Sequence, residues 1–275
     1  MRADLHRRLG KPGEAPLPRV QDKVTRHAQA GFVALVTSDG IQLRAQHTPV
    51  ADMGTCVVLA HGFTNSMDTG HVRAIAVGMA EHGVGVLSFD FRGHGKSEGL
   101  SSVGELEVHD VDAAVAAARR LGYRRVVTCG WSMGGSVVIR HAAGQGGSAL
   151  PDAVISVSAL ARWYYRDTAA MRRVLFAIEK RSGRAVARLF LRTRIEARAW
   201  DPIPLSPTEA APLITVPFLV VHGDQDQYFP VDHAESIVAA TDGHAAYWLE
   251  EGMGHAEKAA TPELIARLAA FARGI

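Results

Sequence analysis

Gly130-Trp131-Ser132-Met133-Gly134 constrains this chain more than any other stretch. The five residues fit Gly-x-Ser-x-Gly, a pattern short enough to arise by chance, so its flanks carry the weight. Upstream, Arg125-Val126-Val127-Thr128-Cys129 is a β-branched run that predicts a buried strand. Downstream, residues 135–143 are apolar over a length that suits a buried helix. A serine on a tight turn between strand and helix is held in a sparsely populated backbone conformation. Glycines two residues before and after it remove the Cβ atoms that would collide there. Such a turn lifts the Ser132 hydroxyl clear of the sheet edge. It also aims the N–H of Met133, at the helix start, into the same space.

The rest of the chain alternates strand and helix around that turn. Residues 32–37 and 41–45 read as strands joined by Ser38-Asp39-Gly40, a hairpin signal. Cys56-Val57-Val58-Leu59-Ala60 is continuously apolar, as in a parallel sheet covered on both faces. Further strands are expected at 84–89, 153–157, 217–222 and 245–249. Helices are expected at 70–82, 103–121, 231–240 and 261–273, with Gly83 and Gly122 ending the first two. Residues 1–20 read as a loose arm and 20–29 as a short helix. This is an α/β chain with a mostly parallel central sheet flanked by helices.

Composition narrows the function classes. The 275 residues suit one large α/β domain or two small ones, and 47% hydrophobic content supplies a sizeable core. No uncharged apolar run is long enough to span a bilayer, so no stable membrane insertion is expected. The N-terminus lacks the apolar segment of a secretory signal. Cys56 and Cys129 both fall in predicted core strands and read as buried free thiols, which suits a reducing cytoplasm. A net charge of +2 points away from nucleic acid. The charge is uneven, however. Between Arg162 and Trp200, ten Arg and one Lys face three acids, a net of +8 that leaves −6 for the remainder.

In open parallel sheets, chemistry collects at the carboxyl ends of the strands. His61-Gly62-Phe63 follows the first buried strand, and Asp90-Phe91-Arg92-Gly93-His94-Gly95-Lys96-Ser97 follows the second. Ser132 follows the third, Gly223-Asp224-Gln225-Asp226 the fifth, and Glu251-Gly252-Met253-Gly254-His255 the last. A nucleophile, an acid and a histidine thus occur in the order Ser, Asp, His.

These five ordered motifs, together with Pro230 four residues beyond Asp226, make the chain resemble an α/β-hydrolase-fold serine hydrolase. The similarity is to the esterase, lipase and monoglyceride-lipase-like group and covers about residues 30–275. It implies a hydrolase core over 31–159 and 213–275, an N-terminal arm over 1–30, and a small helical cap insert over 160–212. Ser132 is then the nucleophile and His255 the base that takes its proton. Either Asp224 or Asp226 is placed to orient the histidine, and the family spacing of Gly223, Asp226 and Pro230 favours Asp226. Asp224 then braces the loop. Met133 supplies one oxyanion N–H, and Phe63 supplies the other by resemblance. His61 reads as a brace for its loop, and the Asp90 to Ser97 segment as structural. That segment lacks the Gly-x-x-x-x-Gly-Lys spacing of a phosphate loop.

Within the insert, Trp163 and Tyr164 are the candidate pocket residues. Tyr165, Phe176, Phe190 and Trp200 are further aromatics able to line one. Its arginines suit an anionic ester, an acyl thioester, a membrane surface, or simply a solvated helix face. The expected reaction is hydrolysis of a small-molecule carboxylic ester through an acyl-enzyme, with no metal or organic cofactor implied. A thioester, peptide or carbon–carbon substrate would use the same triad. A ligand-binding protein on this scaffold would more often lack one of the three residues.

Overall fold

The structure, a computed structural model, describes residues 31–275. The expected arm over 1–30 and its short helix lie outside the described residues. Strands β1 (Gly31–Val36) and β2 (Gln42–Thr48) form the antiparallel hairpin expected around Ser38-Asp39-Gly40. Then follow β3 (Thr55–Ala60), α1 (Gly70–Glu81), β4 (Gly85–Phe89), α2 (Glu107–Arg120), β5 (Arg125–Trp131), α3 (Met133–Ala142) and β6 (Ala153–Val157). Helices α4 (Ala169–Glu179), α5 (Arg181–Phe190) and α6 (Pro207–Ala210) separate β6 from β7 (Phe218–Gly223). Helix α7 (Asp232–Ala240), β8 (Ala245–Glu250) and α8 (Pro262–Arg273) end the chain. The eight strands form one sheet in the order β1-β2-β4-β3-β5-β6-β7-β8. Strand β2 is antiparallel to both its neighbours, and every pairing from β4 to β8 is parallel.

Alternation along the buried strands divides the core between the two faces of the sheet. Val57 and Leu59 of β3 pack with Val72, Ile75 and Met79 of α1 and with Leu264 and Leu268 of α8. Cys56, Val58 and Ala60 of the same strand join Val108 and Val111 of α2 and Val137 and Val138 of α3. Burial on both faces explains why these strands read as continuous apolar runs. Each fully buried Val, Leu or Ile contributes roughly 1.5–3 kcal/mol. Both cysteines are buried and unpaired. Burial pushes the Cys129 thiol up to about 12 and raises that of Cys56 as well, so neither is a thiolate near neutrality.

One expected helix is shorter than its sequence implies. The helix foreseen over 103–121 begins only at Glu107. The cause is Glu107 itself, whose buried carboxylate accepts the hydroxyls of Ser101 and Ser102 and the N–H groups of Val103 and Gly104. Residues 101–106 wrap around that carboxylate as a turn, with Val103 and Gly104 at positive φ.

The sheet order places the functional edge. The chain leaves β3 toward β4 on one side, then returns to lay β5 on the other. Loops leaving neighbouring strands on opposite sides open a crevice at their carboxyl ends. Here that crevice lies between the loop after β3 and the turn after β5. The stretch between β6 and β7 stands over it. Two helices occupy its first half, and the Thr168 hydroxyl caps α4 by accepting the Met171 N–H. Residues 191–206 are irregular rather than helical, anchored where the Arg194 N–H donates to the Gly93 carbonyl at 2.7 Å.

Candidate active site

Helix α3 starts one residue after Ser132, whose backbone sits at φ +53° and ψ −117°. A non-glycine residue in that region costs of order 1–3 kcal/mol unless its surroundings impose it. They do so from two sides. The Ser132 N–H donates to the Val157 carbonyl of β6 at 2.9 Å, and the serine carbonyl accepts the Ser136 N–H. A Cβ at residue 130 would run into the Gly134 carbonyl, and one at residue 134 into the Ala60 carbonyl, so only glycine fits either place.

His255 reaches the serine from the loop after β8. Its Nε2 lies 2.9 Å from Ser132 Oγ, and its Nδ1 lies 2.7 Å from Asp226 Oδ2. Asp226 follows β7 and is almost wholly buried. Burial works to raise its pKa, yet the His255 ring and the Phe229 and Tyr228 N–H groups hold the carboxyl below its ordinary value. An ionised carboxylate only accepts hydrogen bonds. Nδ1 of His255 is therefore the donor toward Asp226, which leaves Nε2 to accept the Ser132 hydroxyl proton. Tyr228 stacks on the imidazole at 4.3 Å and Phe229 meets it edge-on at 5.3 Å, holding its plane from two directions. Asp224, the other candidate acid, turns away and accepts the Gly252 N–H at 2.7 Å, bracing the β8 loop.

Phe63 and Met133 flank the same point. Both line the cavity with Ser132, and neither backbone N–H donates to a protein acceptor among the described residues. Met133 opens α3, where the helix dipole adds partial positive charge. His61, just ahead of Phe63, is fully buried. Its Nδ1 donates to the Gly62 carbonyl at 2.8 Å while its Nε2 accepts the Phe91 N–H at 3.1 Å, and burial lowers its pKa to about 4. It is a neutral ring spent on two loops.

The Asp90 to Ser97 segment is likewise consumed by structure. Asp90 accepts the N–H groups of Met67 and Lys96, and the Ser97 hydroxyl donates to the Asp90 carbonyl. Arg92 bridges Asp39 and Asp110. None of residues 90–97 lines the cavity that reaches Ser132.

Two neighbours of the constellation carry no motif. Tyr228 is visible in sequence only as an aromatic near Asp226. Glu257, two residues past His255, is buried, and its Oε1 accepts the Gly62 N–H at 2.6 Å. It ties the loop carrying His255 to the loop carrying Phe63. The one signal it leaves in sequence is an acid between Ala256 and Lys258, two residues past His255.

The crevice widens into a cavity of about 910 Å³ that reaches Ser132, Met133, Phe63 and His255. The β6–β7 stretch supplies much of its wall, including Trp163, Tyr164, Tyr165 and Trp200. Trp200 packs against Trp163 at 5.0 Å and Tyr164 at 5.8 Å, and the Trp163 indole N–H donates to the Pro204 carbonyl. Phe176 and Phe190 are instead exposed on helices α4 and α5 and lie outside that wall. The space is large enough for a small-molecule substrate beside the Ser132 hydroxyl.

Comparison with known proteins yields one family match. The model described as serine aminopeptidase, S33, matches residues 51–201. Among curated proteins nothing matches. Among solved structures, an esterase of Pyrococcus furiosus is 22% identical, with 88% of this chain and 90% of that chain covered and a TM-score of 0.70. An esterase from a Rhodococcus species is 20% identical, with 87% and 98% covered and a TM-score of 0.64. A serine hydrolase homologue from Coxiella burnetii is 18% identical, with 90% and 97% covered and a TM-score of 0.59. At such identities the likeness is one of fold.

Proposed function

The chain belongs to the serine aminopeptidase S33 family of α/β hydrolases, and from that premise we propose that it hydrolyses carboxylic esters through an acyl-enzyme on Ser132. The observation that carries this reading is the relay from Asp226 through His255 to Ser132, at 2.7 and 2.9 Å, beside two uncommitted backbone N–H groups. Ser132 Oγ attacks the ester carbonyl as its proton passes to His255 Nε2. The imidazolium is stabilised by Asp226. The oxyanion takes the N–H groups of Phe63 and Met133, at the positive end of α3. His255 then protonates the leaving alcohol, and water, deprotonated by the same ring, releases the acid.

Residues 160–212 act as a cap whose Trp163 and Tyr164 shape the acyl or alcohol pocket. The apolar character of that wall and the esterase neighbours of Pyrococcus and Rhodococcus support an ester substrate. The family description points to amides as a second reading. The two buried, unpaired thiols fit a cytoplasmic enzyme.

The test is turnover of p-nitrophenyl esters from acetate to palmitate, beside aminoacyl p-nitroanilides, by wild type and Ser132→Ala. We expect ester turnover that the substitution lowers at least about a thousand-fold, and labelling of the wild type alone by a fluorophosphonate. Turnover of the anilides in preference would replace esterase with peptidase. A folded wild type that neither turns over esters nor takes the label would remove the catalytic reading.

A further inference from the structure

Helix α5 leaves an apolar stripe uncovered. Val186 is 49% exposed, Leu189 73% and Phe190 77%. They stand at i, i+3 and i+4, which places them on one side of the helix. The buried side is taken by Gly183 and Ala187, against α4. The fit there is close enough that a Cβ at residue 183 would strike the Phe176 carbonyl. A third line along the helix holds Arg181, Arg184 and Arg188. A surface helix ordinarily turns its large apolar residues inward. This one presents them to solvent and packs through Gly183 and Ala187.

The cations around this stripe differ from others in the same stretch. Arg162 pairs with Asp232, Arg166 with Glu179, and Arg198 with Glu105 and Glu196. Arg172, Arg184 and Arg194 donate to backbone carbonyls. The side chains of Arg173, Lys180, Arg181, Arg188 and Arg192 have no hydrogen-bond or ion-pair partner among the described residues, and all five sit on or next to α4 and α5. Uncompensated positive charge therefore borders the exposed stripe. Two copies meeting on this face would bring like charges together. An acidic apolar boundary satisfies both features at once. Among the described residues no helix is long and apolar enough to cross a membrane, so contact at the surface is what remains.

We propose that α5 seats this protein on an anionic lipid bilayer. Val186, Leu189 and Phe190 enter the acyl boundary while Arg181, Arg188 and Arg192 meet headgroup phosphates. Leu191 and Arg184, from the same helical hairpin, belong to the cavity wall. The seated protein thus holds its cavity next to the lipid. The interaction is independent of the chemistry at Ser132, so binding and turnover fail separately.

The experiment is co-sedimentation of the full chain with vesicles of phosphatidylcholine alone or with about 30 mol% phosphatidylserine. Binding is expected only to the anionic vesicles, lost when NaCl is raised to about 0.5 M. The double variant Arg188→Gln/Arg192→Gln should bind roughly 25-fold more weakly, at about five-fold for each cation. Leu189→Ser/Phe190→Ser should weaken binding by at least about ten-fold. All four positions are exposed and outside the cavity wall, so both variants should keep wild-type turnover of p-nitrophenyl acetate, which reports that they are folded. Equal pelleting with both vesicle types, undiminished pelleting of either variant, or no pelleting at all would overturn the proposal. So would a wild-type dimer in sedimentation velocity that Leu189→Ser/Phe190→Ser converts to monomer, since a second copy would then own this face.

Discussion

The two oxygens of Asp226 have separate partners, and that division fixes how the acid acts. Oδ1 accepts the Tyr228 and Phe229 N–H groups at 2.8 and 3.0 Å, while Oδ2 faces His255 Nδ1. In Asp226→Asn the two backbone donors would hold the amide oxygen at the Oδ1 position and turn the NH₂ toward His255. A donor there requires Nδ1 to accept, which moves the ring proton to Nε2 and removes the base that faces Ser132. Asp226→Asn should therefore lower kcat about a thousand-fold or more with KM little changed. Steady-state kinetics on the preferred p-nitrophenyl ester measures this, and a loss under ten-fold would show that the tautomer does not matter. Ser132 and His255 stand out in sequence because each follows a strand at the same sheet edge, whereas Asp224 and Asp226 both follow β7 and only the family spacing of Gly223, Asp226 and Pro230 favours Asp226. Tyr228 and Glu257 do not stand out, because stacking on an imidazole and accepting one distant N–H require no periodicity and no spacing. They become meaningful only once the loops after β3, β7 and β8 meet.

Elements with a repeating apolar pattern were legible nearly to their ends, because burial dictates them residue by residue. Strand β6 covers 153–157 as its β-branched run implies, and β3 differs from its expected span only by Thr55. Helix α2 lost its first turn because Glu107 competes for local donors, an effect that apolar periodicity does not register. The loops after β3 and β8 are of the same kind. Their relative position rests on the Glu257 carboxylate and the Gly62 N–H at 2.6 Å, 195 residues apart in sequence. Removing that tie frees the loop carrying the Phe63 N–H while leaving Ser132, His255 and Asp226 in place. Glu257→Ala should lower kcat about ten-fold with KM nearly constant, because a displaced oxyanion donor costs mainly transition-state stabilisation. Glu257→Gln keeps an acceptor and should retain most activity. Equal losses in both variants would assign the effect to the charge of Glu257 rather than to its hold on the loop.

Across the whole molecule, several imidazoles are buried without charge, and they couple stability to pH. His94 donates from Nδ1 to the Arg92 carbonyl, and its Nε2 has no partner among the described residues. Its ring meets those of His61, Phe63 and Phe91, and the charges of Glu107 and Arg194 act on it with opposite signs. Burial first, and the neighbouring His61 second, bring its pKa from 6.5 down to about 3. His61 and His233 are each lowered to about 4, again chiefly by burial. Above pH 6.5 these rings are neutral in both folded and unfolded chains and add no pH dependence. As pH falls below that value, the unfolded chain takes up protons that the folded rings refuse. Each ring then lowers stability by about 1.4 kcal/mol per pH unit until its folded pKa is reached. Asp110, pushed up to about 7 by burial against the pull of Arg92, has the opposite sign, since its folded form takes the proton first. The overall acid profile mixes these contributions, so the informative quantity is a difference between variants. His94→Asn keeps a donor toward the Arg92 carbonyl and removes the titrating ring. Urea unfolding at pH 7 and pH 5, followed by circular dichroism, should show the wild type losing about 2 kcal/mol more than His94→Asn over that interval. Equal losses would mean that His94 takes up its proton in the folded protein as readily as in the unfolded chain, and that its burial does not keep it neutral.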